Sequence, residues 1–491
     1  MIGKVLRLVR KKMSEKWVSR YARLSGGAVV VLMIAGCASV PDRPVAEAAP
    51  AVGDAFRAGA SSDPVSSEWW AGFSDPVLAS LVNTTLQASP ALRGADFSVA
   101  EAEAALRLAL LGASPTASTR AGITAGRPTG TSADRLNVSA TGTLAASWEF
   151  DAFGRIAALV EAARYDAATA RELRRDIAVT LASETALAYI NLRGAEARLE
   201  VGRRNAQTQV EGLELVRTLF DNGRATQLDI EQAETLYRTT LASLPVYEAD
   251  REAAISRLAA LTAAPASSAD ALLQQLTASP GLIPALEAPM TAGTPEDLLR
   301  RRPDIRAAEA QVGAALALGE VARADLFPRI TLNANLLGLV RNTGVAVSDE
   351  SLGFDFGPAI TWAGPDLRGV YANIDATDAR TGQIIANYQS TVLDALADAE
   401  TALTDLASEN RRTADLEAAL ASARRALDLA RLRYREGLDS YLNVLDAQRS
   451  LLDAEDRLAV NRAETARRAV RAYRSLGGIW TDEELAAYRA G

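Results

Sequence analysis

The side chains that carry most protein chemistry are nearly missing from this sequence: of 491 residues none is histidine and a single one, Cys37, is cysteine. A His/Cys zinc centre, a Ser-His-Asp triad, a Cys-His nucleophile and a structural disulfide are therefore excluded by residue type. Aspartate and glutamate total 61, so paired carboxylates for hydrolysis remain conceivable, but such pairs are unavoidable on charged helices. No phosphate or dinucleotide signature accompanies them. The expectation is a protein that is not an enzyme and needs no cofactor or metal.

The elements holding these residues are mostly helical, since Ala, Leu, Arg and Glu dominate and aromatics make up 5%. The first 24 residues carry Lys4, Arg7, Arg10, Lys11, Lys12, Lys16, Arg20 and Arg23 against one acid, Glu15, and GGAVVVLMIAGC follows at 26–37. A basic region, a short apolar run and a small-residue cleavage site make a secretory signal, too short to span a bilayer. Ile34-Ala35-Gly36-Cys37 resembles a bacterial lipoprotein box, in which the cysteine becomes the lipidated first residue; the alternative is an ordinary signal with a chance cysteine. If the box holds, Ala38 after the cysteine favours release toward the outer membrane. Cleavage before Cys37 takes the formal charge of −8 to near −15, which argues against nucleic acid as a partner.

The chain is written twice. Pro90, Arg93, Ala95 and Pro115 recur 213 residues later as Pro303, Arg306, Ala308 and Pro328. At a shift of 214, Trp148 matches Trp362, Phe220 matches Tyr434, Gly223 matches Gly437, Leu228 matches Leu442 and Ala233 matches Ala447. Proline, tryptophan and glycine falling in one register mark a duplication.

Each half holds two alternating stretches: Thr116–Gly126 and Asn137–Phe150, then Arg329–Gly338 and Ser351–Trp362. Each pair flanks a polar loop, 127–136 and 341–350. In the second stretch Val138, Leu144, Ala146, Trp148 and Phe150 share one face and Ser139, Thr141, Thr143 and Ser147 the other. A soluble sheet with one buried face alternates likewise. Two features favour membrane strands: lengths matching the ~9–11 residues of a tilted bilayer strand, and Trp148, Phe150 and Trp362 at strand ends, as in an interfacial girdle. Four strands cannot close a barrel, and an open edge in lipid leaves N–H and C=O groups unpaired. Three copies would give a twelve-stranded barrel wide enough for water.

Prolines are absent from long stretches after Pro128 and Pro365, so 152–220 and 366–434 read as long helices, each roughly 100 Å at ~1.5 Å per residue. The heptad series Val392, Ala399, Leu406, Thr413, Leu420, Leu427, Tyr434 is apolar apart from Thr413, and Ala395, Ala402, Glu409, Leu416, Ala423, Ala430 apart from Glu409. Such spacing packs helices side by side; a solvated coiled-coil rod would show it too. Gly223 and Gly437 end these helices, and returning helices follow at 227–263, with Pro245 expected to break the first, and at 441–476.

The expected division is a signal peptide at 1–36, a lipid-anchored segment at 37–89 with a helix from about Pro76, and a first repeat at 90–264. An equatorial linker at 265–302 carries a short helix at 269–277, a second repeat spans 303–480, and a tail follows at 481–491.

SEWWAGFSDPVL (67–78), SWEFDAFGR (147–155), LLRRRPDIRAAEAQ (298–311), ADLFPRITLNA (324–334) and YREGLDSYLNVLDAQRSLLDAE (434–455) resemble the TolC-like outer-membrane efflux factors, specifically their NodT-like lipoprotein branch. The resemblance covers Cys37 to about Trp480. It implies a mainly α fold with a membrane β-barrel part: long antiparallel coiled helices forming a trimeric α-barrel in the periplasm, and four strands per chain in a twelve-stranded barrel in the outer membrane. It implies the passive exit duct of a tripartite pump, with a periplasmic adaptor and an inner-membrane transporter of the resistance-nodulation-division type as partners. By the same resemblance the periplasmic gate falls on a ring of Asp446, with Asp229, Arg433 and Tyr434 as bonding partners. Asn443 stands where some relatives have a second aspartate, and Asp439 where some have a basic residue. The turns Gly223, Arg224, Ala225, Thr226 and Gly437, Leu438, Asp439, Ser440 are the expected adaptor contacts, a glycine turn leaving backbone open to a docking partner. The rival functions are the outer channel of an ATP-driven one-step secretion system and a poreless coiled-coil surface lipoprotein.

Overall fold

The computed structural model describes residues 50, 53–57, 68–126, 137–264, 276, 282–286, 290–341 and 352–478. The signal peptide, Cys37, both polar strand loops, nearly all of the short helix at 269–277 and the tail at 481–491 lie outside the described residues. The elements are α1 (Pro76–Ala88), α2 (Pro90–Leu111), β1 (Thr116–Gly126), β2 (Asn137–Phe150), α3 (Arg155–Asp221), α4 (Gln227–Leu261), α5 (Pro295–Arg301), α6 (Pro303–Ala324), β3 (Arg329–Arg341), β4 (Leu352–Thr361), α7 (Arg368–Arg435) and α8 (Tyr441–Ser475). Among the described residues no helix is long and apolar enough to cross a membrane. Two compact units form, one from Leu111–Leu159 with Glu320–Ile374, the other from the described parts of Pro44–Leu110, Val160–Gly319 and Asp375–Gly491.

The first unit is an antiparallel sheet in the order β1-β2-β3-β4, with β1 and β4 as edges. Its registers sort the faces. Phe150, Ile330 and Ile360 lie in one row, as do Leu144, Leu336 and Phe354; Ser147 meets Asn333, and Asn335 meets Asp355. Apolar rows thus line one face and polar rows the other, as the alternation requires. On the polar face Ser147 Oγ donates to Asn333 Oδ1 at 2.9 Å and Asn335 Nδ2 to Asp355 Oδ2 at 2.8 Å.

Both helix-to-strand corners use the same device. Trp148 Nε1 donates to Ala113 O, and its repeat equivalent Trp362 donates to Leu326 O, each at 3.0 Å. Phe153 and Phe327 stack at 4.7 Å between ring centres. The long helices start a little later than expected, at Arg155 and Arg368 instead of 152 and 366, because aspartates cap them. Asp151 accepts from the amides of Ile156 and Ala157, and Asp366 from that of Arg368. Gly154, at φ +76, makes the left-handed approach to the first.

The second unit is helical. A turn of 3-10 helix at Trp69–Phe73 buries Trp69, Trp70 and Phe73, with Trp69 stacked on Tyr473 at 5.3 Å. Asp75 caps α1 and also accepts from the Tyr189 hydroxyl at 2.8 Å. Tyr189 in turn accepts from Arg193, whose guanidinium, buried to 1% exposure, reaches Leu276 O. One chain of bonds therefore ties the N-terminal segment, α3 and the linker together. On α7 the heptad positions Val392, Ala399, Leu406 and Leu427 are buried. The two polar interruptions share one partner on α8: Thr413 donates to Asn461, and Asn461 donates to Glu409 at 2.6 Å.

Pro245 corrects an expectation. α4 runs unbroken from Gln227 to Leu261 with the proline inside. Packing outweighs the lost bond: Leu244 enters the space a Cβ on Gly202 of α3 would need, and the Arg198 guanidinium lies 4.3 Å over the Tyr247 ring. Pro245 itself is exposed, so water can bond the carbonyl it leaves without a donor. The strand ends also shift, β3 reaching Arg341 and β4 ending at Thr361 instead of Trp362, while Ser351 lies outside the described residues.

Candidate functional site

The expected gate and docking residues converge where α3 turns into α4 and α7 into α8. Beneath the turns Leu213, Val216, Ala233, Leu236, Leu427, Tyr441, Val444 and Leu445 form an apolar cluster of all four helices, joined by Ile230 and Tyr434. Both turns use a left-handed glycine, Gly223 at φ +70 and Gly437 at φ +72. Each closes with paired backbone bonds, Gly223 to Phe220 and Arg224 to Leu219 in one, Gly437 to Tyr434 and Leu438 to Arg433 in the other.

The next helices start by different chemistry. Thr226 and Asp229 form a capping box: Asp229 Oδ2 accepts from the Thr226 amide at 2.8 Å and hydroxyl at 2.7 Å, and the Asp229 amide donates to Thr226 Oγ1. In the second turn Ser440 makes no side-chain cap. Asp439 replaces the box, accepting from Arg433 Nε at 3.1 Å, from the Ser440 amide at 3.0 Å and from Asn443 Nδ2. Those donors, Arg433 foremost, hold the Asp439 carboxyl below its ordinary range.

The structure thus brings Arg433 and Asn443 together on Asp439, and leaves Asp229 bonded to Thr226. Tyr434 packs on Tyr441 at 5.1 Å between ring centres, and its hydroxyl is buried with no hydrogen-bond partner among the described residues. Burial raises the Tyr434 hydroxyl, with the nearby Asp229 adding to the shift, and burial pushes Tyr441 up to about 12. A cavity of about 490 Å³ beside the rings is lined by Gly212, Arg431, Tyr434, Arg435, Tyr441 and Gln448 among others. Asp446 is exposed and, among the described residues, pairs with Arg449 at 3.4 Å, one helical turn ahead, a contact of little energetic weight.

Of the expected membrane-interface aromatics, Trp148 packs edge-on against Phe150 at 5.8 Å, while Phe150 and Trp362 are about half exposed. The indoles also serve the corner bonds described above. Sequence reasoning missed Arg449, although an Asp–Arg spacing of three on a helix signals such a pair. It also missed Glu455, 7% exposed, on which Asn205, Arg204 and Arg424 converge from α3 and α7. Its partners lie 31 residues away for Arg424 and 250 for Asn205, and no local pattern joins them. No group of His, Cys, Asp and Glu among the described residues could hold a metal.

Comparison with known proteins supplies the context. The family model for outer membrane efflux proteins matches residues 81–264 and 294–478, one match on each half. The chain is 30% identical over 465 residues to the pyoverdine export outer membrane protein OpmQ of Pseudomonas aeruginosa, covering 92% of this chain and 96% of that protein. It is 29% identical over 470 residues to nodulation protein T of Rhizobium leguminosarum bv. viciae, covering 94% and 95%. Among solved structures, the outer-membrane channel OprN superposes with a TM-score of 0.79 at 33% identity, covering 88% of this chain and 99% of that one.

Proposed function

This chain belongs to the outer membrane efflux protein family, and from that premise we infer that three copies form the exit duct of a tripartite efflux pump. It is a channel and not an enzyme, seated in the outer membrane with its helices in the periplasm. The observation that carries the reading is the four-stranded sheet with two bare edges, an apolar face and strands of 10–14 residues. Such a sheet satisfies its backbone in lipid only by closing with further copies. Twelve strands leave a watery lumen. Transport through it is passive: no phosphate-binding motif is present, and energy comes from an inner-membrane transporter of the resistance-nodulation-division type through a periplasmic adaptor.

The lipid on Cys37 is part of this proposal, as is a gate at the α7–α8 turn. Three copies of Asp446 around one axis would repel anions, hold cations and oppose close approach. The two glycine turns are the proposed adaptor contacts, and bulky residues at Ala225 and Ser440 in an assembled channel should abolish pump complementation.

Planar bilayers test the reading: purified protein should give discrete conductance steps and run as a trimer. A detergent-free, soluble, helical monomer without conductance would refute it. Within the gate, Asp446→Ala or Asp229→Ala should raise single-channel conductance. Thr226→Ala, which breaks the same cap as Asp229→Ala but keeps the charge, separates a loosened turn from a lost anion. Unchanged conductance in both aspartate variants would remove them from the gate.

A further inference from the structure

A second cavity, of about 960 Å³, lies in the helical unit and shares no residue with the apolar cluster beneath the turns. Its size is that of a small-molecule site, ~300–1,000 Å³. Apolar lining comes from the linker, through Ile283, Leu286 and Met290, and from the long helices, through Leu406, Leu420 and Leu458. Leu406, Thr413 and Leu420 are three successive steps of the α7 heptad series, and all three line the cavity. The seam that packs α7 elsewhere is left here with a hollow beside it.

Charge gives the cavity a polar end. Glu455 lines it at 7% exposure, and a carboxylate so buried needs donors. Asn205 Nδ2 donates to its Oε2 at 2.7 Å, while Oε1 takes both arginines, Arg424 at 3.1 Å and Arg204 at 3.4 Å. One guanidinium neutralises the carboxylate, so the second is a surplus positive charge on the cavity wall. Neither arginine has another acidic partner among the described residues, and both side chains are about half exposed. The other charges of the lining cancel, Arg462 pairing with Glu417 at 2.8 Å.

We propose that this cavity binds a single-chain amphiphile with an anionic head, a fatty-acid carboxylate being the simplest, with its head on Arg204 and Arg424 and its chain along Leu458, Leu420 and Leu406. Arginine suits the head, because its planar fork can give a carboxylate two parallel N–H bonds. Shared between Glu455 and the ligand, the two guanidiniums would complete an array of two cations and two anions. The fourteen residues from Leu406 to Leu420 span roughly 20 Å of helix, room for an acyl chain whose burial supplies the apolar part of the affinity. A neutral amphiphile gains the burial and forfeits the head contact; a cationic one meets the surplus charge. The site stands on the helical unit alone and does not depend on how copies of the chain close a barrel.

Photolabelling of the full-length protein in its membrane tests this. A twelve-carbon fatty acid with a diazirine at its chain end should label peptides holding residues 282–290 and 406–420. Excess laurate or lyso-phosphatidylglycerol should suppress that labelling several-fold, the stronger of the two naming the source of the ligand, whereas methyl laurate and dodecyltrimethylammonium should not. Arg204→Gln removes the surplus charge and leaves Glu455 its Arg424 partner, so labelling should fall several-fold at unchanged helix content, and Arg204→Lys should retain it. Equal suppression by the ester or the cation, full labelling of Arg204→Gln, or labelling absent from both segments would each overturn the proposal.

Discussion

Asp439 shows how one side chain can stand in for a motif. Its donors lower its carboxyl below the ordinary range, Arg433 contributing most, so its clamp is complete at neutral pH. The clamp weakens as pH falls below the ordinary value of ~4 and is lost once pH passes the lowered folded-state value. Asp439→Asn should therefore speed amide exchange at Ser440 at neutral pH, and acidification should bring the wild-type turn toward the variant's exchange, relative to intrinsic rates. Identical protection in the two proteins at neutral pH would show that the glycine turn alone holds the helix start. Asp229→Ala should cost the first returning helix about 1 kcal/mol through its cap, read as faster exchange over residues 227–231. Residue types had already excluded His- and Cys-based catalysis and located the turns. The actual bonding was not legible, because Asp439 pairs with Arg433 across a turn whose geometry the sequence does not state.

At the scale of elements, strand alternation, the repeat and the glycine turns were readable because each is periodic or rare. Pro245 misled because propensity is local and the outcome is decided by neighbours: Gly202 opens α3 to Leu244, and Arg198 covers Tyr247. Pro245→Ala restores a donor to the Leu241 carbonyl and should stabilise α4 by up to ~3 kcal/mol, seen as a higher melting temperature. An unchanged or lower value would mean that the helix is shaped around its proline. Gly313→Ala should act in the opposite direction. A Cβ there would lie 2.6 Å from the Tyr165 ring, and crowding of this kind costs about 1–3 kcal/mol. Thr413 and Glu409 looked like flaws in an apolar heptad, and Asn461, 1% exposed, turns them into a satisfied polar layer. The sequence could not show this because Asn461 belongs to another helix.

For the whole molecule, the lipid on Cys37 and the threefold assembly are the claims with most reach. Intact mass of membrane-extracted protein should show diacylglycerol and an acyl chain on Cys37, and an unmodified mature N-terminus would remove the anchor. Strand counting required more than one copy, since a four-stranded sheet with open edges cannot satisfy its backbone in lipid, and it favoured three copies over two because twelve strands leave room for water. The two turns carry a last implication. Arg224 and Ala225 occupy the places that Leu438 and Asp439 take in the other half, so the two tips offer different side chains at the same turn positions. Around a threefold axis these alternate as six footings of two kinds. A companion ring with six like arms would have to accept both.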